Sequence, residues 1–292
     1  MARIQINDLS FNVESTGSGP AVFAFHGFTG NTRTWDKFVS DAQGKYTVVT
    51  MDMLGHGQSD SPLPSERYDI SNCIKDVDSI LSKLRIESVN WLGYSMGGRV
   101  ALAVALALPQ KTVSLILESA SPGLAETNER KARIQQDSNL ADWINKVGVS
   151  EFVTYWENLP LFSSQNNLPI LQLETHRSER LKNNSIGLAN SLKGIGTGIQ
   201  PPLHDKLVTI PFPILLISGE LDTKFTEIAK EMNGIIPESQ LRAINNAGHS
   251  THFEKPTEFN QIVLTFLDSV NKIDSQMPKS SIKPIISNLW SH

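Results

Sequence analysis

The residues best suited to chemistry lie in Val89-Asn90-Trp91-Leu92-Gly93-Tyr94-Ser95-Met96-Gly97-Gly98-Arg99-Val100. The pattern is a short apolar strand, then Gly-x-Ser-x-Gly, then a helical run placed at Val100 to Leu108. A serine on such a strand-to-helix turn is held in a strained backbone conformation that lifts its hydroxyl out of the turn. Gly93 and Gly97 let strand and helix approach closely, and the helix N-terminus puts partial positive charge beside the oxygen. The hydroxyl remains a poor nucleophile or base until an imidazole accepts its proton, and the imidazole needs a carboxylate to fix its tautomer. In sites of this kind the chain order is serine, acid, histidine. Asp222, in Gly219-Glu220-Leu221-Asp222, and His249, in Ala247-Gly248-His249, each follow an apolar run and meet that order. The N–H groups of Met96 and of Phe28, in His26-Gly27-Phe28-Thr29-Gly30, are the expected donors to an oxyanion.

Other residues compete for these roles. His252 is three residues after His249 and can face the same cleft as an alternative base. Glu118, after the sixth strand, is an alternative acid by position, or a buried carboxylate near the junction with the region that follows. Glu220 reads as a structural hydrogen-bonding residue of its loop, His56 as loop packing, and His26 as a brace for the Phe28 loop. A zinc pair from His249 and His252 lacks further ligands nearby, so no metal site is expected.

The elements that must position these groups are legible as alternation. Arg3 to Ile6 and Leu9 to Val13 read as an antiparallel pair. Ala21 to Phe25, Tyr46 to Met51, the strand before Ser95, Val113 to Leu117, Phe212 to Ile217 and Gln240 to Ile244 read as buried strands. Helices are expected at about Ile70 to Leu84, after Ser95, and at Pro256 to Val270. Strands alternating with helices imply an α/β fold, a mostly parallel sheet covered on both faces. From about 122 to 200 the strands stop and polar, Trp-containing helical stretches take over, which predicts a helical cap inserted after the sixth strand. The expected organisation is a core of residues 1–121 and 201–273, a cap of 122–200, and a flexible tail of 274–292. Every motif singled out falls at the carboxyl end of a strand, where such sheets bind ligands.

Composition narrows the class. The 292 residues carry a formal net charge of -4, with 39% hydrophobic and 19% charged residues. These values fit a soluble globular protein and argue against nucleic-acid binding. The lone Cys73 excludes internal disulfides and reads as a small half-buried side chain. The N-terminus lacks the apolar core of a signal peptide, and the longest apolar run, Val100 to Leu108, is too short to span a bilayer. A cytoplasmic enzyme without membrane insertion is the expectation.

The chain resembles the 2-succinyl-6-hydroxy-2,4-cyclohexadiene-1-carboxylate synthases of menaquinone biosynthesis, members of the α/β-hydrolase superfamily. The elbow and loop motifs are shared widely across that superfamily. More specific are Glu129-Arg130-x-x-Arg133 with Asp137, Trp156-x-x-x-Pro160-Leu161-Phe162, Arg180, Gly187-Leu188-Ala189 and Gly196-Thr197-Gly198-x-Gln200-Pro201. Gly219-Glu220-x-Asp222-x-Lys224-Phe225 continues the likeness, which covers about residues 2 to 270. Two departures are His204, where an aromatic is expected, and the tail.

The resemblance implies a lyase acting on 2-succinyl-5-enolpyruvyl-6-hydroxy-3-cyclohexene-1-carboxylate. A ring proton is removed and pyruvate leaves, with no metal or organic cofactor. It implies that Ser95, Asp222 and His249 are catalytic, that Phe28 and Met96 form the oxyanion hole, and that Tyr94, Arg99, Arg133, Trp156 and Arg180 bind the tricarboxylate. The roles of Arg130 and Lys224 stay open. Two alternatives share the triad: a serine esterase or carbon–carbon bond hydrolase, and a binding protein of the same fold without turnover.

Overall fold

The computed structural model describes residues 2–274. Apart from Asp274, the expected tail lies outside the described residues. Eight strands form one sheet: β1 (Ala2–Ile6), β2 (Leu9–Gly17), β3 (Ala21–Phe25), β4 (Thr47–Met51), β5 (Val89–Tyr94), β6 (Thr112–Glu118), β7 (Ile214–Gly219) and β8 (Ser239–Ile244). Their spatial order is β1-β2-β4-β3-β5-β6-β7-β8. β1 and β2 run antiparallel, β2 meets β4 antiparallel, and all later pairings are parallel. The expected α/β-hydrolase fold, mostly parallel with helices on both faces and an inserted helical region, is the one observed.

Eleven α-helices are described, besides short 3-10 turns: α1 (Asp36–Ala42), α2 (Ile70–Leu84), α3 (Met96–Ala107), α4 (Thr127–Val147), α5 (Val149–Glu157), α6 (Ile170–Arg180), α7 (Ser185–Ile195), α8 (His204–Leu207), α9 (Thr223–Ile235), α10 (Thr251–Glu254) and α11 (Pro256–Asp274). α1 and α9 were not expected from the sequence. Their apolar stripes are short, and each helix becomes recognisable once it covers the sheet. α3 starts at Met96, ahead of the anticipated Val100. Glycine disfavours a helix interior, but packing overrides that here: a Cβ on Gly97 would meet the Phe25 carbonyl oxygen at 2.3 Å, and one on Gly93 would meet the Gly97 carbonyl oxygen at 2.4 Å. β2 runs to Gly17 because its second half still pairs with β4, although one face of it is exposed and reads as polar.

The parallel strands are buried on both faces, which explains their continuous apolar runs. In β3, Phe23 and Phe25 join Trp91 and the inward faces of α2, α3 and α9. The alternate residues Val22 and Ala24 join Leu92, Trp35 and Phe38, and the apolar stripe of α11. Cys73 is half-buried on α2 against the first of these cores, and burial pushes its thiol up to about 12. The insert between β6 and β7 has a smaller core of its own, built from Ala141, Ile144, Phe152, Val153, Leu188, Ala189 and Leu192. Phe28 packs against both this core and the main one, so the loop after β3 forms the seam between sheet and insert. No described helix is long and apolar enough to cross a membrane.

Candidate active site

Ser95 caps the N-terminus of α3 with φ 53° and ψ -111°, a conformation that a non-glycine residue adopts only when its surroundings impose it. The imposing contacts are local. Its N–H donates to the Glu118 carbonyl on the neighbouring strand at 2.8 Å, and the α3 backbone presses against β5 and the end of β3. The Ser95 hydroxyl lies 3.0 Å from His249 Nε2, and His249 Nδ1–H donates to Asp222 Oδ2 at 2.6 Å. Asp222 also caps α9, its Oδ1 accepting the Phe225 N–H at 3.3 Å. The His249 ring is packed by Phe225, Tyr94 and Phe162, with centroids 4.6, 5.4 and 6.2 Å away. The structure therefore brings together the serine, acid and histidine that the sequence put in order.

The turn bearing His249 is held on both sides. Glu254 accepts the Gly248 N–H at 2.7 Å and the Ser250 N–H at 3.2 Å. Glu118, fully buried at the end of β6, accepts the Thr251 hydroxyl at 2.7 Å, the His252 N–H at 2.9 Å and His252 Nδ1–H at 2.8 Å. Glu118 and His252, the alternative acid and base, are thus paired with each other. The His252 ring lies between Trp35 and Tyr94, at 5.0 and 4.6 Å. The Tyr94 hydroxyl is 2.5 Å from Ser250 Oγ, which also accepts from Gln165, and burial raises the Tyr94 pKa. Glu220 accepts the Asn246 N–H, a bond within the loops.

Directly after Ser95, Met96 opens α3, so its N–H has no acceptor within the helix. Phe28 lies within a turn closed by Gly30 N–H to the Gly27 carbonyl at 3.0 Å. His26 braces that loop: Nδ1–H donates to the Gly27 carbonyl at 2.8 Å while Nε2 accepts the Met53 N–H at 3.0 Å. These two bonds specify the neutral ring, and burial pushes its pKa down to about 4. His56 lies beside it with the two rings tilted, centroids 5.0 Å apart, and is pushed down to about 3 by burial and by His26. Among the described residues no group of three or more His, Cys, Asp or Glu side chains is arranged to hold a metal ion.

The cationic residues fall into two groups. Arg99, on α3, is buried, and its Nη1 donates to the Ile195 carbonyl and to Gln200 Oε1. Burial and nearby Arg133 push its pKa down to about 10, with Asp137 opposing them. Arg133, on α4, is half-exposed and donates to Asp137 Oδ1 at 2.8 Å. Arg180, at the end of α6, is buried, sits 3.4 Å from Glu157 and lies 5.2 Å above the Phe162 ring. Burial lowers its pKa, Glu157 acts against that shift, and its Nε has no hydrogen-bond partner among the described residues. Trp156 packs against Phe28, Phe152 and Phe162, its buried Nε1 without a hydrogen-bond partner among the described residues. Arg130 donates to the Gly198 carbonyl at 3.2 Å, and Lys224 lies 5.8 Å above the Phe225 ring.

Reading the residues one by one did not assign roles to Gln200, Glu157, Glu254, Phe162 or Phe225. Gln200, Phe162 and Phe225 stood in motifs without any chemistry attached, and nothing local marks Glu157 or Glu254 as partners of Arg180 and of the His249 turn.

The profile of the alpha/beta hydrolase fold matches residues 20–256. A Bacillus subtilis (strain 168) protein, provisionally named as 2-succinyl-6-hydroxy-2,4-cyclohexadiene-1-carboxylate synthase, is 43% identical over 257 residues, spanning 88% of this chain and 93% of the relative. The synthase of that name from Citrobacter koseri is 31% identical over 238 residues, covering 81% and 89%. The solved structure of MenH from S. aureus superposes with a TM-score of 0.85 at 34% identity, covering 89% of this chain and 98% of that one. With these likenesses running across both the sheet and the insert, the chain belongs to the MenH family, the 2-succinyl-6-hydroxy-2,4-cyclohexadiene-1-carboxylate synthases of menaquinone biosynthesis.

Proposed function

We propose that the protein is a lyase that takes a ring proton from 2-succinyl-5-enolpyruvyl-6-hydroxy-3-cyclohexene-1-carboxylate and expels pyruvate. The observation that carries this reading is the unbroken hydrogen-bond chain Asp222–His249–Ser95 beneath an insert that buries two arginines. Ser95 Oγ takes the ring proton next to the succinyl carbonyl as its own proton passes to His249 Nε2, and Asp222 stabilises the imidazolium. The C–H electron pair moves into the carbonyl, and the N–H groups of Phe28 and Met96 hold the resulting oxyanion. Its collapse breaks the carbon–oxygen bond to the enolpyruvyl group. His249 returns the proton as the leaving group becomes pyruvate. No acyl-enzyme forms, and no electrons leave the substrate pair.

The substrate of this reaction carries three carboxylates. Arg99, Arg133 and Arg180 are the forks for them, while Tyr94 and Trp156 supply walls. The test is a side-by-side steady-state assay of pyruvate release from the enolpyruvyl substrate and hydrolysis of simple activated esters. Efficient pyruvate release with feeble ester turnover is expected. Rapid ester turnover through a trappable acyl-serine, without pyruvate release, would replace the synthase reading with the esterase one.

A further inference from the structure

Buried arginines are ordinarily matched by a carboxylate, because an unbalanced charge away from water is costly. Arg99 departs from this. Among the described residues its guanidinium forms no ion pair, and all of its hydrogen bonds leave from Nη1, to two neutral acceptors: the Ile195 carbonyl at 3.1 Å and Gln200 Oε1. Gln200 grips the same residue a second time, its Nε2 donating to the Arg99 backbone carbonyl at 3.1 Å. Gln200 is itself 3% exposed, so this clasp cannot swing away into solvent. It sits in a turn closed by its own N–H to the Gly196 carbonyl at 3.0 Å, where the insert returns to the sheet. At the base of that return, Leu203 N–H meets the Pro122 carbonyl at 2.8 Å, tying the two ends of the insert together.

Granted the carboxylate-recognising role proposed above for Arg99, we infer that Gln200 is a positioning and specificity-determining residue, a neutral clasp that aims the Arg99 guanidinium while leaving its charge for a substrate carboxylate. The residue type matters as much as the contact. A glutamate in the same place would accept the same Nη1–H, but it would cancel the charge the ligand has to meet. A carbonyl acceptor orients without neutralising. Saturating Nη1 from the protein side leaves the Nε and Nη2 edge as the one free to form a two-point contact with a planar carboxylate. Asp137, whose Oδ1 is committed to Arg133, moderates the second guanidinium nearby, so the pair of arginines retains a net positive charge suited to one carboxylate.

The experiment compares wild-type protein with Gln200→Glu. The readouts are pyruvate release and competitive inhibition by a polycarboxylate and by analogues in which one carboxylate at a time is a primary amide. In the wild type, at least one amide should bind about tenfold or more weakly than the acid. In Gln200→Glu, KM should rise about tenfold or more with kcat within about threefold, and that acid-over-amide preference should collapse. A folded Gln200→Glu variant with wild-type preference and KM overturns the inference. Should that variant fail to fold, Gln200→Met removes the clasp at similar volume. Several-fold higher KM with little change in kcat supports the inference, and unchanged kinetics overturn it. Wild-type protein that releases no pyruvate overturns the synthase reading and this inference together, whereas pyruvate release with indifferent variants overturns the role of Gln200 alone.

Discussion

Two carboxylate–imidazole couples lie close together at the carboxyl edge of the sheet. Asp222–His249 and Glu118–His252 have similar separations, 2.6 and 2.8 Å, and all four side chains are almost fully buried. What differs is the far side of each ring. His249 turns Nε2 to the Ser95 hydroxyl, whereas the His252 ring is flanked by Trp35 and Tyr94. The carboxylates differ as well. Asp222 spends one oxygen on a helix cap and the other on the ring, while Glu118 also collects a backbone N–H and a hydroxyl from the same turn. A carboxylate–histidine contact is therefore not by itself a catalytic signature. Its role follows from what the second ring nitrogen and the remaining lone pairs can reach.

The comparison is most strongly tested at the first couple. Ser95→Ala should lower turnover by about three or more orders of magnitude, and Asp222→Asn and His249→Ala should be severely impaired without the losses adding, because the three act as a unit. Their unfolding midpoints should move little relative to that loss. Near-normal pyruvate release by Ser95→Ala, or a crippled His252→Ala beside an active His249→Ala, would reverse the assignment of the couples.

Arginine substitutions separate binding from proton transfer. Arg180→Ala and Arg133→Ala should each lower kcat/KM by about one to two decades through the loss of a charge-assisted contact worth about 1.5–3 kcal/mol. Steady-state kinetics unchanged in both would mark them as surface or structural charges and leave the triad standing alone.

At the second couple the balance should invert. Glu118→Gln turns an acceptor into a donor facing the His252 N–H and ring, leaving a buried group unsatisfied. We expect a stability loss of about 2–4 kcal/mol by chemical denaturation, with kcat reduced only about tenfold as the His249 turn loosens. A loss of activity as deep as that of Asp222→Asn, at unchanged stability, would make Glu118 a member of the reacting set.

Histidines whose hydrogen bonds, among the described residues, go to backbone groups complete the contrast. His26 and His56, pushed down to about 4 and about 3, are neutral in the folded protein but titrate near 6.5 when unfolded. Their contribution is fully present above about pH 6.5. It is lost as pH falls toward 4, because the unfolded chain binds protons that the folded chain refuses. The slope is about 1.4 kcal/mol per pH unit for each ring. Denaturation curves between pH 7.5 and 4.5 should show this decline, and His56→Gln should make it shallower by one proton. An equal slope in that variant would remove His56 from the account.

Much of the architecture was legible because it is local. The alternation of β3, β4 and β5 with α2 follows from apolar period; the structure adds the cap at the start of α2, where the Asp69 side chain accepts the Asn72 N–H. The elbow was legible because Gly-x-Ser-x-Gly falls between an apolar strand and a helical run. α1 and α9 were not, since their buried faces comprise only a few residues each and gain meaning from the sheet beneath them. The tail after Asp274 lies beyond the described residues.

The sequence by itself determined the chain order of strands, the elbow, and a set of acids and histidines at strand ends, because backbone sterics and hydrophobic period act over a few residues. Which acid meets which histidine was decided by the tertiary structure. Asp222 and His249 are far apart in the chain, as are Glu118 and His252, and a three-residue offset along one turn sends one ring to Ser95 and the other between Trp35 and Tyr94. The setting of Arg99 was decided there too. Its charge is written in the sequence, but its burial without an ion pair among the described residues and the clasp of Gln200 arise only when the insert closes its return onto α3.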